Sequence, residues 1–167
     1  MKSLHEMWMR EVLCEAESAG LRGEVPMAAV LVCDGELLAL GSNLREATGR
    51  TTAHAEILAL ETYNQRHNSW RLPPRTTLYV NAEPCVMCAG ALIQARVDAI
   101  YYGCDDPKNA GIRTLIPLIE AGRFDHKLSH FEGGILAEAS ASLLAQFFRR
   151  RRLEKLAAKT LISVLIH

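Results

Sequence analysis

The sequence predicts an α/β fold in three layers (αβα), a mixed five-stranded sheet with helices on both faces. Five short apolar runs, 27–33, 36–40, 78–80, 99–102 and 128–131, have strand length. From residue 54 onward they alternate with stretches of helical periodicity, the pattern of a mostly parallel sheet joined by crossover helices. Asp34-Gly35, between the first two runs, is a hairpin signal and makes that pair the antiparallel edge.

The elements follow in order. In 3–19, Leu4, Met7, Trp8, Val12 and Ala16 recur at helical spacing, with Trp8 as core and Gly20 as the expected stop. The second strand is expected to leave through Gly41-Ser42-Asn43, and 45–52 is polar and reads as a loop. Residues 54–66 read as a helix with Ile57, Leu58, Leu60 and Tyr63 as its apolar positions. Pro73 and Pro74 mark the connection 68–77, and 78–80 is a buried strand. Pro84 suits the first turn of the next helix, which runs to about residue 95. Gly103 ends the strand at 99–102, and Pro107 and Gly111 break the loop 105–111. Residues 112–121 are helical in pattern, with Pro117 expected to bend or demote them. A terminal helix spans about 138–160 and buries Leu143, Leu144, Phe147 and Phe148. The 167 residues suffice for one domain, 1–167.

The chain is 49% hydrophobic and 23% charged with zero formal net charge, which argues against indiscriminate coating of nucleic acid. Five cysteines, an odd number, and a start lacking an apolar leader segment point to a reducing cytoplasm. No apolar run approaches the roughly 18 residues of a membrane span. The short apolar tail 161–166 reads as packing on the body or on a second subunit.

Chemistry concentrates around Cys85 and Cys88. Three apart at a helix start, they share one face, with Cβ atoms about 5–6 Å apart. Open N–H groups and the positive end of the helix dipole favour their thiolates. His54 as third ligand leaves one tetrahedral position open, as in a catalytic zinc site, with one zinc per subunit. A structural site would need a fourth protein ligand. No second C-x-x-C exists, and Cys14, Cys33 and Cys104 stand alone. Glu56 lies two residues after His54. At a helix start, where side chains lean toward the N-terminus, it reaches the metal-bound water as general acid and base.

His54-Ala55-Glu56 followed by Pro84-Cys85-Val86-Met87-Cys88 is the H-x-E…P-C-x-x-C signature of zinc nucleobase deaminases. Residues 23–152 resemble the bacterial tRNA adenosine deaminases, of cytidine-deaminase-like fold. The likeness rests on that motif with its flanks, from Thr52 to Ile57 and from Glu83 to Ala91, on Gly23-Glu24-Val25-Pro26 and on Gln146-Phe147-Phe148-Arg149. The resemblance implies His54, Cys85 and Cys88 as zinc ligands and Glu56 as proton shuttle. It also implies Asn43, Ala55 and Glu83 as substrate contacts, a homodimer, and conversion of adenosine to inosine at the wobble position of a tRNA anticodon arm. Arg50-Thr51, Asn81-Ala82 and 108–113 depart from the family's pattern around the pocket. They keep open a deaminase of a free base or nucleoside, of guanine or cytosine type. A non-catalytic zinc-stabilised subunit is a third reading, which Glu56 argues against. Between 145 and 160, Arg149, Arg150, Arg151, Arg152, Lys155 and Lys159 face one acid, Glu154, a local charge of +5. The four arginines are the candidate RNA contacts.

Overall fold

The computed structural model describes residues 2–165 except 107 and 109, with side chains described from 4 to 159. In chain order the elements are α1 (Lys2–Leu21), β1 (Ala28–Cys33), β2 (Glu36–Ser42), α2 (Arg45–Thr48), α3 (Ala55–His67), β3 (Thr77–Ala82), α4 (Val86–Gln94), β4 (Ala99–Cys104), α5 (Gly111–Glu120), β5 (His130–Glu132) and α6 (Ala137–Leu165). The strands form one mixed sheet in the order β2-β1-β3-β4-β5.

Asp34 and Gly35 both take positive φ, 51° and 83°, the backbone a two-residue hairpin turn requires. They pair β1 with β2 antiparallel, as the sequence predicts. The expectation of a mostly parallel sheet needs correction. β1 also runs antiparallel to β3, so only β3, β4 and β5 are mutually parallel. The cause lies in the connection. β2, at the outer edge, feeds α3, which crosses over β1 before β3 begins.

Period-two alternation divides the strands between two cores. Ala29, Leu31, Leu78, Val80, Ile100 and Tyr102 pack under α3, α4 and α5. Ala28, Val30, Val32 and Tyr79 pack against Trp8, Met9, Val12 and Ala16 of α1. Trp8 is core, as expected. α6 completes that second layer. Its seat is Gly103, where a Cβ would fall 2.2 Å from Ser140 Oγ and 2.4 Å from the Asn81 carbonyl.

Several boundaries differ from the sequence reading. α1 passes Gly20, and Gly23 takes the left-handed turn instead, with φ 87°. Part of the expected loop 45–52 is helix α2. In α3 the buried face is Ala55, Glu56, Ala59, Leu60 and Tyr63, with Ile57 and Leu58 only half-buried. α5 runs through Pro117 and buries Ile112, Leu115 and Ile119. β5 begins two residues later and ends one residue later than the expected 128–131. α6 buries Phe147, with Leu143 packed against the α1 core, whereas Phe148 is 45% exposed. The role assigned to tail 161–166 lies outside the described side chains.

Candidate metal centre and active site

α3 and α4 both begin at one end of the sheet, and each starts with a candidate ligand. His54 is the N-cap residue of α3 and Cys85 that of α4, both with extended backbone and neither capping with its side chain. Their side chains are therefore available to turn toward each other. Two close approaches fix where α3 and α4 sit. A Cβ on Gly41 of β2 would lie 2.3 Å from the Ala55 carbonyl and 2.4 Å from the Ala59 nitrogen, so strand and helix meet backbone to backbone. A Cβ on Gly111 would lie 2.1 Å from the Cys85 carbonyl carbon, which presses α5 onto α4 in the same way.

His54 Nδ1 stands 3.7 Å from Cys85 Sγ and 3.5 Å from Cys88 Sγ, and all three donor atoms lie within 4.8 Å of one another. Ligands about 2.1–2.3 Å from a tetrahedral ion are separated by roughly 3.5–3.8 Å, so the two separations from His54 fit one zinc ion. All five cysteines are free of disulfides. Cys85 titrates at about 4, held down chiefly by a hydrogen bond from the Cys88 thiol and further by His54. Cys88, the donor of that bond and buried, is pushed up. His54 is pushed up chiefly by its hydrogen bond to Cys85, against the effect of burial. A divalent cation binding here would displace the protons that the donors carry.

Glu56 is 2% exposed. Burial pushes its carboxyl above the ordinary range, with His54 pulling the other way. A carboxyl kept out of water beside three clustered side chains that could hold a metal ion has the perturbed surroundings typical of a functional site.

These groups open on a cavity of about 510 Å³ lined by Asn43, Arg45, Ala55, Glu56, Ala82 and Glu83, with Leu144 and Phe148 on its α6 side. The structure therefore brings Asn43, Ala55 and Glu83 together with the trio. Asn43 is held by Glu24, whose Oε2 accepts from its Nδ2 at 2.9 Å. The same buried carboxylate accepts from the Glu46 and Ala47 N–H groups and so caps α2. Glu83 lines the cavity, and its carboxylate is gripped by Arg113. Asn81 is structural. Its side chain bonds Ala28 N and Pro26 O, extending the β1–β3 pairing beside the pocket.

The four arginines do not act as one patch. Arg151 approaches Glu46 of α2 at 3.8 Å, and Arg152 lies one turn beyond Phe148. Arg150 turns the other way and donates to the Gly20 carbonyl at 3.0 Å, and Arg149 lines a groove against the end of α1. Sequence reading missed Glu24 as a positioning residue, Arg45 at the cavity, and Leu144 and Phe148 as pocket wall. Glu24 had a signal, since it sits in Gly23-Glu24-Val25-Pro26, but nothing local ties it to Asn43.

Fold and site are those of a hydrolytic deaminase. A family model described as MafB19-like deaminase matches residues 3–152. The tRNA-specific adenosine deaminase of Bacillus subtilis (strain 168) is 42% identical, over 95% of this chain and 97% of its own length. A solved structure from work on A-to-I editing by tRNA:A34 deaminases superposes with TM-score 0.74 at 38% identity, covering 81% of this chain and 97% of its own. A Bacillus subtilis guanine deaminase structure is similar at TM-score 0.57 and 32% identity, over 60% of this chain and 64% of its own. The chain belongs to the family of the tRNA-specific adenosine deaminases. Among the described residues no helix is long and apolar enough to cross a membrane.

Proposed function

We propose that this chain converts adenosine to inosine at the wobble position of a tRNA anticodon, as a zinc-loaded homodimer in the cytoplasm. One observation carries the reading. A single helix, α6, forms the apolar side of the cavity at Leu144 and Phe148 and bears the guanidinium run directly after it. A free base has no use for those charges, whereas an anticodon loop brings its phosphates wherever its base goes.

His54, Cys85 and Cys88 would hold one zinc per subunit. The chemistry such an ion would supply is an activated water for attack at purine C6. Glu56 is the catalytic residue. Its carboxylate takes a proton from the water and returns one to the exocyclic nitrogen, which leaves as ammonia. Its burial keeps bulk water from competing for the proton it carries between the two. Asn43, held through its amide nitrogen by Glu24, offers its carbonyl oxygen to the base. Ala55 and Glu83 close the wall around it. Arg151 and Arg152 meet phosphates at the rim, whereas Arg149 and Arg150 face α1 and stand apart from that surface.

The test is incubation with tRNA carrying adenosine at the wobble position, followed by sequencing, beside ammonia assays on free guanine, cytosine and adenosine. Inosine in the tRNA is the expected result. Ammonia from free guanine or cytosine with the tRNA unchanged would select a free-base enzyme. No turnover by zinc-loaded protein would select a non-catalytic subunit.

A further inference from the structure

The first turn of α5 lies against the turn that carries Cys85. Ala110, its N-cap, has no side chain that caps, so the donors of that turn need an acceptor from elsewhere. Glu83, two residues before Cys85, provides one, accepting from the Arg113 N–H at 3.3 Å. The Arg113 guanidinium closes on the same carboxylate, its Nε 3.1 Å and 3.0 Å from the two oxygens and its Nη2 on Oε2. Asp105 lies 3.6 Å from that Nη2. The Glu83 side chain is fully buried, while Arg113 reaches it from the surface. Main-chain bonds reinforce the join: Gly111 N–H donates to the Pro84 carbonyl at 3.0 Å, and Glu83 N–H to the Cys104 carbonyl at 2.9 Å.

We infer that Arg113 is a positioning residue for the metal centre. Acting through Glu83, it fastens the Glu83-Pro84-Cys85 turn to α5 and keeps Cys85 Sγ in register with His54 and Cys88. The inference rests on the reading of that trio as a zinc site. The fork geometry matters because a guanidinium holds both carboxylate oxygens in one orientation, which an ammonium does not. Without the guanidinium, the buried Glu83 carboxylate keeps, among the described residues, only the Arg113 N–H of these contacts, and its turn relaxes toward water.

Zinc competition against a chromophoric chelator, and the cobalt(II) spectrum of the full chain, test this. R113A is expected to lose about 10–100-fold in zinc affinity, the usual cost of removing a group that orients a ligand. It should also lose part of the thiolate-to-cobalt charge-transfer band. R113K should fall between R113A and wild type, and E83Q added to R113A should cost little more, since the two side chains act as one unit. R113K decides by the same criteria if R113A does not fold. Zinc affinity within twofold of wild type with an unchanged cobalt spectrum would overturn the inference, even if the metal-free variant melted earlier. Failure of wild type itself to bind zinc one to one would instead overturn the metal reading beneath it.

Discussion

Glu56→Gln separates proton transfer from metal binding. The substitution keeps the side chain's size in a site that is 2% exposed, so no solvent water replaces the lost carboxylate. None of the three clustered donor atoms belongs to Glu56. A positioned general acid–base contributes about 10²–10⁴-fold. Turnover should therefore fall by that factor, about 3–5 kcal/mol of barrier at roughly 1.4 kcal/mol per tenfold. Single-turnover inosine formation measures the rate, and elemental analysis the zinc content, which should stay at the wild-type value. The metal-free proteins add a second readout. Burial raises the Glu56 pKa above its ordinary 4.5, so the folded state binds that proton more tightly than the unfolded state. The resulting stability is fully present below 4.5 and is lost as pH rises through the raised value. Glutamine carries no such dependence. Metal-free Glu56→Gln should thus melt later than metal-free wild type at neutral pH, and the difference should shrink toward acid. Turnover within tenfold of wild type, or loss of zinc, would refute the reasoning.

Two further outcomes follow from particular contacts. Gly41→Ala places a Cβ 2.3 Å from the Ala55 carbonyl and 2.4 Å from the Ala59 nitrogen, backbone that cannot rotate away. It should cost about 1–3 kcal/mol in urea unfolding and, because α3 carries His54, weaken zinc binding as well. Arg151→Ala with Arg152→Ala should reduce the slope of log affinity for tRNA against log salt by about 2, roughly 1 for each phosphate contact. Arg150→Ala, whose guanidinium is spent on the Gly20 carbonyl, should change that slope least.

The parts of this molecule that sequence reveals are those whose causes are local. Asp34-Gly35 announces its own turn, and the strands announce themselves by length and apolarity. His54, Glu56, Cys85 and Cys88 carry their spacing in the chain, and the helix starts place them. What stayed hidden depends on residues far apart. α2 is a four-residue helix with no side-chain cap of its own, and its acceptor, Glu24, lies about twenty residues upstream. The antiparallel β1–β3 pairing is a choice of neighbour that periodicity does not encode. On α6, Leu144 and Phe148 have the spacing of any buried stripe. Only the tertiary placement of that helix turns them toward the cavity and leaves Phe147 to the core. Arg113 and Glu83 are thirty residues apart, and neither suggests the other.

Gly103 lets α6 rest on β4 with no methyl between them. Leu144 and Phe148 ride one and two turns farther along the same rod, so the height of the helix at Ser140 sets how far both reach over the opening. An extra carbon at 103 would lever them outward. The breadth of the opening is therefore governed from behind, by a position that does not line it, and the shape of the mouth is inseparable from how closely the back of the molecule is packed.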